Sequence, residues 1–188
     1  AGINYLSVTG RIKSVASFAA KAARRVDGEL QFQDPLRDIT DQIGVRVITY
    51  VLSDVAAVAE LLADQGLFTD DRDMGQETAS QGRFGYASRH LLITLDAARE
   101  AQPDHAPLRG RLAAVQIRTV LQHAWAEFEH DIRYKGTVPP EQVPDLDRRF
   151  TLAAGLLELA DHEREVVERR VAMGRTPQPN RRAARGCW

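Results

Sequence analysis

Cysteine, lysine and long apolar runs are scarce in this 188-residue chain. The single cysteine, Cys187, excludes an internal disulfide framework and a multi-cysteine metal site, which fits a reducing compartment. No apolar run reaches the roughly 18–20 residues that a membrane span needs, and no signal peptide is recognisable. The formal net charge of −1 excludes the overall basic field that many nucleic-acid-binding domains carry. We therefore expect a cytoplasmic protein without a membrane partner.

The pattern of apolar residues predicts alternating strands and helices. Strands are predicted in 3–9, 44–51, 86–96 and 112–117, and helices in 11–25, 54–65, 119–132 and 145–173. This alternation predicts an α/β (α+β) fold in which a central mixed sheet is flanked by helices and followed by a long C-terminal helix.

Glycine and helix-capping residues predict where the helices and strands begin and end. Gly28 is expected to close the first helix, and Ser53 to cap the second. Residues 35–41 predict a polar turn or short helix, whereas 70–83 and 101–107 predict loops, the first of them mobile.

Three segments are expected along the chain. Residues 1–138 are predicted to form the core domain, and 139–175 a C-terminal helical extension. Residues 176–188 combine prolines and arginines, so we expect a disordered tail.

A basic motif opens the predicted core. Lysine occurs only three times in the chain, and two of the three lie here, at Lys13 and Lys21. Ser17 and Lys21 are four residues apart and would share one face of the predicted helix, with Arg11 and Lys13 near its start. Such a cluster suits a polyphosphate. A solvated basic helix face is the alternative that spacing alone leaves open.

An acidic segment precedes the predicted strand 44–51. A carboxylate at the mouth of a strand, such as Asp38 or Asp41, can hold a hard cation, and Mg²⁺ is the usual metal beside phosphates. Arg46 follows within the strand and could stack on a planar base. A helix cap paired with Arg46 is the alternative interpretation.

A glycine-aromatic motif follows at Gly85-Tyr86-Ala87-Ser88-Arg89-His90. Glycine permits close approach of a ligand to the backbone, and Tyr86 offers an aromatic face to a base. A buried Tyr-His pair at a strand edge is the alternative.

The fourth motif is a strand whose two faces differ in polarity. Period-two alternation puts Ala113, Val115 and Ile117 in the core. The opposite face carries polar groups and would face a ligand, unless it is an ordinary polar sheet surface. Its members are Leu112, Ala114, Gln116 and Arg118.

Together these motifs resemble the signature of the RelA/SpoT-type (p)ppGpp synthetases, in particular the small alarmone synthetases. The resemblance covers about residues 4–136 and continues into the next helix at Glu127 and Glu129. It implies a nucleotidyltransferase-like synthetase fold and a pyrophosphokinase that moves a pyrophosphoryl group from ATP to the 3′-hydroxyl of a guanine nucleotide.

The resemblance also implies roles for individual residues. Arg11 and Arg46 would cover the two faces of the ATP adenine, and Asp41 would ligate Mg²⁺. The ATP phosphates would be held by Lys13, Ser17 and Lys21. The acceptor nucleotide would meet Arg83, Tyr86, His90 and Glu127.

Ala114 departs from the family pattern. Relatives carry a glutamate there, beside the positions of Gln116 and Arg118, and that glutamate takes the proton from the attacking hydroxyl. Two interpretations stay open: a degenerate relative, or a glutamate exchanged for alanine, which the intact neighbours favour. Gly82 also stands where many GDP- or GTP-using members have lysine, with Arg83 one residue later.

Three functional hypotheses follow. The first is synthesis of (p)ppGpp, impaired in this chain by Ala114. The second is a toxic relative that modifies the tRNA 3′ end or makes adenosine alarmones under the control of an antitoxin protein. The third is a nucleotide-binding pseudoenzyme. Assembly into a homo-oligomer stays open in all three.

Overall fold

The computed structural model describes residues 2–74, 88–135 and 139–174. Its strands are β1 (Tyr5–Ile12), β2 (Arg25–Val26), β3 (Glu29–Leu30), β4 (Ile43–Thr49), β5 (Leu67–Asp73), β6 (Arg89–Thr94) and β7 (Ala113–Thr119). Its helices are α1 (Val15–Ala22), α2 (Pro35–Asp38), α3 (Leu52–Gln65), α4 (Ala97–Glu100), α5 (Val120–Lys135) and α6 (Val143–Gly174). Short 3-10 segments lie at Thr40–Gln42, Pro103–Leu108 and Pro140–Gln142.

A five-stranded mixed sheet organises these elements, in the order β1-β4-β7-β6-β5. Strands β4 and β7 run parallel, whereas the other neighbouring pairs are antiparallel. The predicted fold class, with its long C-terminal helix, is confirmed. No helix within the described ranges has the length and apolar character needed to cross a lipid bilayer.

One face of the sheet forms the main core beneath α3. Val115 and Ile117 are 2% and 0% exposed, as their alternation in β7 predicts. Each such side chain contributes about 1.5–3 kcal/mol when it leaves water. The other buried members of the cluster are Val47, Val58, Ala59 and Leu91. The polar residues between them in β7 are thereby directed to the opposite face.

A second apolar cluster joins α5 to α6. Trp125 and Phe150 meet edge to face with ring centroids 5.4 Å apart, and Ala154 is buried beside them. This contact holds the long C-terminal helix against the helix that follows β7.

The first predicted helix is shorter than its periodicity suggested. Arg11 and Ile12 belong to β1, because their backbone pairs with β4 at Gly44 and Ile43. The helix begins only after Ser14, whose side-chain oxygen accepts a hydrogen bond from the backbone N–H of Ser17 at 3.2 Å. Sheet pairing therefore overrides helical propensity at the start of this segment.

Gly28 does not end that helix. It lies in a two-residue turn between β2 and β3, where Asp27 and Gly28 have φ angles of 51° and 89°. An Asp-Gly pair with positive φ at both positions matches the right-handed twist of a hairpin. The prediction was wrong because Gly28 serves a hairpin instead.

Three smaller predictions also differ from the structure. Val51 precedes α3 as its N-terminal cap residue, so Ser53 lies inside the helix. Residues 70–73 belong to β5, because β6 supplies backbone partners that local polarity cannot reveal. The predicted loop at 101–107 is largely a 3-10 helix. The rest of the predicted 70–83 loop, beyond Met74, and the tail from residue 176 lie outside the described residues.

Candidate active site

Two lateral rows of side chains cross the open face of the sheet. In the first, Arg46 of β4 pairs with Gln116 of β7, and Gln116 pairs with His90 of β6. In the second, Arg11 of β1 pairs with Gly44, and Gly44 with Ala114. Cross-strand partners point to the same side of a sheet. The open face is therefore polar, and it collects predicted site residues from four strands.

Arg11 lies across the backbone of Gly44. A Cβ atom at Gly44 would come within 3.2 Å of the Arg11 Nε and 3.3 Å of its Cγ. Glycine at position 44 therefore gives the Arg11 side chain room to extend over β4, along the row that contains Ala114. A larger residue at 44 would displace the guanidinium from this position.

Asp41 is the meeting point of two lysines from different elements. The Lys13 Nζ donates to Asp41 Oδ2 at 2.9 Å, and the Lys21 Nζ donates to Asp41 Oδ1 at 3.0 Å. Lys13 follows β1, and its backbone N–H donates to the Gln42 carbonyl at 2.8 Å, which fixes it beside the turn that carries Asp41. Lys21 comes from the last turn of α1. The three predicted residues are thus brought together at the beginning of β4.

The charge of Asp41 is stabilised by this arrangement. Partial burial acts to raise the pKa of its carboxyl group, but the hydrogen bonds and charges of Lys13 and Lys21 outweigh burial and lower it. Asp41 is therefore ionised at neutral pH, and the cluster carries one excess positive charge. A net cationic cluster with an anionic centre can receive phosphate oxygens and a hard cation together.

A second ion pair links β4 to α5. The Arg46 Nη1 donates to Glu127 Oε1 at 3.0 Å, and His123 Nδ1 lies 3.7 Å from the same oxygen. Burial lowers the pKa of His123, and the charges of Arg46 and Arg118 lower it further against the opposing effect of Glu127. His123 is thus neutral at pH 7. Its buried Nδ1 has no hydrogen-bond partner within the described part of the chain.

The acceptor motif is described only from Ser88 onward. The Ser88 hydroxyl lies 2.8 Å from His90 Nε2, within hydrogen-bond distance, and Ser88 is buried. Arg83 and Tyr86, the other predicted acceptor residues of this motif, lie outside the described residues.

Ser17, unlike the two lysines of its predicted motif, does not contact Asp41 within the described part of the chain. It is exposed, and its hydroxyl accepts a hydrogen bond from Ser14 at 2.9 Å. Gln116 and Arg118 lie half-buried on the open face, as alternation predicts.

The far end of β7 is fastened by a buried network that the sequence did not reveal. The Thr119 hydroxyl donates to Asp161 Oδ2 of α6 at 2.6 Å and accepts from the Gln122 backbone N–H at 3.1 Å. Asp161 is 3% exposed, and burial raises its pKa despite the Thr119 hydrogen bond and the nearby charges of Arg164 and His162.

Sequence reasoning missed His123 and Asp161 for different reasons. His123 stands four residues before Glu127, so helical spacing could have placed the two together. Asp161 is 42 residues from Thr119 in sequence, and nothing in its local pattern separates it from the solvated charges of α6.

These features characterise the open face as a polar sheet surface with a Lys-Asp-Lys cluster at one end and an Arg-Glu pair beside it. Such a combination of ammonium, carboxylate and planar guanidinium groups is suited to a phosphorylated, planar ligand. Sequence comparison assigns the family: residues 10–138 match the model described as the region found in RelA / SpoT proteins. The chain belongs to the RelA/SpoT family.

Individual relatives refine this assignment. The chain is 32% identical over 173 residues to the GTP pyrophosphokinase YjbM of Bacillus subtilis (strain 168), which covers 89% of this chain and 76% of that protein. It is similar to the crystal structure of small alarmone synthetase 1 from Bacillus subtilis, with 25% identity and a TM-score of 0.65 over 90% of this chain and 81% of the other. That synthetase bound to its product pppGpp gives 26% identity and the same TM-score of 0.65, over 89% and 80% of the two chains. The fold is therefore that of the small alarmone synthetases, and the homologues are pyrophosphokinases.

Proposed function

We propose that this chain is a small alarmone synthetase whose native reaction transfers pyrophosphate from ATP to the 3′-hydroxyl of GDP or GTP. The observation that supports it best is the convergence of Lys13 and Lys21 on Asp41, at the strand end where the family match implies ATP phosphates. The polar row on the neighbouring strands provides a place for a second nucleotide.

In this reaction the acceptor hydroxyl oxygen bonds to the β-phosphorus of ATP while the bond from that phosphorus to the α,β-bridging oxygen breaks. AMP leaves with that oxygen, and the hydroxyl proton passes to a base. There is little covalent chemistry for side chains to perform in phosphoryl transfer, so positioning and charge stabilisation dominate. Lys13 and Lys21 would turn from Asp41 to the transferred phosphates, and Arg11 and Arg46 would hold the adenine.

Mg²⁺ is the proposed cofactor, and the donor set fits it in a particular way. The described residues contain no group of three or more His, Cys, Asp or Glu side chains that could hold a metal alone. Asp41 offers a carboxylate, and the remaining ligands would be phosphate oxygens and water, as is usual for Mg²⁺ at nucleotides. The metal would neutralise charge on the phosphates. Lys13 and Lys21 already occupy both Asp41 oxygens, so we expect the metal to enter with ATP.

Ala114 sets the expected level of activity. It lies in the row of Arg11 and Gly44, on the open face, where a glutamate would reach the site. A placed general base typically contributes about 10²–10⁴-fold to a rate. The proposal therefore includes a donor site that binds and a chemical step that is slow.

The test is a label-transfer assay with β-³²P-labelled ATP and Mg²⁺. GDP, GTP, ATP and deacylated tRNA are offered separately to the chain as given and to its Ala114→Glu variant. Ala160→Glu, an exposed position on α6, provides the matched control for an added glutamate. We expect label on GDP or GTP, in large excess only with Ala114→Glu.

Each alternative gives a different pattern in the same assay. If label reached only tRNA or ATP, the acceptor would not be a guanine nucleotide, and the hypothesis of a toxic relative would replace this proposal. Absence of transfer by either form, with ATP still bound, would overturn the synthetase proposal in favour of a nucleotide-binding pseudoenzyme.

A further inference from the structure

A cavity opens beside the turn that carries Asp41, and none of the described residues predicted to bind ATP, the acceptor or the metal lines it. Its volume is about 310 Å³, at the lower end of the range of about 300–1,000 Å³ for small-molecule pockets. Ile12 and Ile43, which pair between β1 and β4, contribute to its wall. By strand alternation, their side chains point to the face opposite Arg11 and Gly44. The cavity is therefore distinct from the candidate active site, although the two share the same end of the sheet.

The charged side chains among the described residues that line the cavity are both basic. Arg37 and Arg111 line it, and none of the described residues that line it is acidic. Within the described part of the chain, neither guanidinium has an ion pair or a side-chain hydrogen bond. Two guanidiniums without carboxylate partners favour an anion, because their planar donors match carboxylate and phosphate oxygens.

The remaining wall is mostly apolar. Leu36 and Ile12 are large side chains that are 74% and 84% exposed at the cavity, while Ile39 at its base is 1% exposed. Leu112 and Ile43 complete the apolar lining. Exposed apolar groups around a concave, cationic surface fit a ligand that has an apolar body and an anionic group.

The wall of the cavity is also part of the support of Asp41. Thr40 and Gln42 both line it and flank Asp41 in the 3-10 segment. The Gln42 Nε2 donates to the carbonyls of Leu36 at 2.7 Å and Ile39 at 2.9 Å, which ties this segment to α2. Because the Gln42 carbonyl also accepts from the Lys13 N–H, a ligand that shifts Gln42 also shifts the Lys13–Asp41 contact.

From these observations we infer that the cavity binds a small organic phosphate or carboxylate with an apolar aromatic body, and that its occupancy alters nucleotide binding at Asp41. The binding part stands independently of the proposed function. The coupling part rests on it, because it requires that Asp41 serve the ATP site.

The binding test uses the fluorescent organic anion 1-anilinonaphthalene-8-sulfonate as the probe. We expect saturable binding, competed by phenyl phosphate or by benzoate, and the better competitor identifies the preferred anionic group. Arg37→Glu combined with Arg111→Glu should weaken the probe at least tenfold. Arg148→Glu combined with Arg170→Glu, on exposed positions of α6, makes the same change in net charge and should leave binding within twofold. The single variants Arg37→Gln and Arg111→Gln, which should each weaken it at least threefold, guard against misfolding of the double variant.

The coupling test measures the affinity of Mg²⁺ with a nonhydrolysable ATP analogue, at zero and at saturating phenyl phosphate. We expect a change of at least threefold that Arg37→Gln abolishes. Equal probe affinity in the cavity and control variants would overturn the site. Probe binding without any effect on the analogue would overturn the coupling alone. If the analogue does not bind at all, the proposed function fails while the cavity result stands.

Discussion

Two carboxylates, at opposite ends of the parallel strands β4 and β7, differ in their exposure, their partners and the direction in which their pKa is shifted. Asp41, at the beginning of β4, is reached by two lysines and remains accessible, with 32% of its side chain exposed. Asp161 meets the end of β7 at Thr119 and is 3% exposed. The pKa of Asp41 is lowered, whereas that of Asp161 is raised by burial.

We interpret the accessible Asp41 cluster as a candidate ligand site and the buried Thr119–Asp161 contact as a structural one. The Asp41 carboxylate is accessible and two lysines balance its charge, so these groups can exchange partners. Such an exchange is required if phosphates and a metal bind at this cluster. The buried Asp161 carboxylate, in contrast, accepts a hydrogen bond from the Thr119 hydroxyl and holds α6 against the end of β7. A substitution at Asp41 should therefore mainly weaken ligand binding, whereas a substitution in the Thr119–Asp161 contact should mainly lower the free energy of unfolding.

Among substitutions that test this difference, the largest expected effect comes from Asp41→Asn. This substitution removes the carboxylate that would ligate Mg²⁺. If the lost contact costs about as much as a hydrogen bond to a charged group, about 1.5–3 kcal/mol, affinity for an ATP analogue with Mg²⁺ should fall about 10–100-fold. Calorimetric titration measures it. Asp38→Asn, whose carboxylate accepts from the Asp34 N–H at the neighbouring helix, is the control and should stay within twofold. Equal losses in the two variants would remove the special role of Asp41.

Thr119→Val should act on stability instead. It leaves the buried Asp161 carboxylate and the Gln122 N–H without their shared partner, at a cost of about 1–3 kcal/mol in the free energy of unfolding. Urea denaturation measures this cost, and analogue affinity should be unchanged. Thr151→Val removes an exposed hydroxyl that donates to the Asp147 carbonyl, and should cost less. If the Thr119→Val variant were as stable as the original chain but no longer bound the analogue, the structural role of the Thr119–Asp161 contact would be contradicted.

The pH dependence of stability should separate the same two carboxylates. For Asp161 the folded pKa lies above the ordinary value of 3.8, so stability declines as pH rises from 3.8 through the folded pKa, and the deficit persists above it. For Asp41 the folded pKa is lowered, so its contribution is present above 3.8 and is lost as pH falls through the folded value.

Asp161→Asn should therefore flatten the decline above pH 3.8 that Asp161 causes. Asp54 has a pKa raised by burial and retains a decline of the same sign, so the flattening should be partial. Urea denaturation across a pH series provides the measurement. An unchanged slope in Asp161→Asn would show that its carboxyl group does not titrate differently on folding.

The smallest effect is expected at the Arg46–Glu127 pair. Their side chains are 37% and 57% exposed, and exposed pairs are worth about 0.2–1 kcal/mol. A double-mutant cycle with Arg46→Gln and Glu127→Gln, read in urea denaturation, should give a coupling in that range. The pair Arg149–Asp145 on α6 provides an exposed reference. A coupling well above the reference would mean that this half of the site is as tightly organised as the Asp41 cluster.

Local pattern was sufficient for part of this structure. Alternation in β7 correctly divided Val115 and Ile117 from Gln116 and Arg118, because burial on one face leaves a period of two in the sequence. The family motifs singled out Lys13, Lys21 and Asp41, which the structure brings into contact.

Contacts between distant segments were beyond local pattern. Arg46 meets Glu127 across 81 residues of sequence, and Thr119 meets Asp161 across 42. Such pairs depend on the parallel pairing of β4 with β7 and on the path of α6, neither of which leaves a local periodicity. Backbone partners likewise determine the strand structure of Arg11 and Ile12 at the end of β1, against a helical pattern, and that of residues 70–73 in β5, against a loop pattern.

We propose that the donor site of this chain binds ATP while the chemical step lacks a carboxylate at position 114, and one paired measurement tests this most directly. The single-turnover rate of pyrophosphate transfer to GTP and the affinity for a nonhydrolysable ATP analogue are measured for the chain as given and for Ala114→Glu. We expect a rate at least about 100-fold higher with the glutamate, and an analogue affinity that agrees within about threefold between the two forms. Equal rates at equal affinity would contradict it, because the missing carboxylate would then not be what limits this chain.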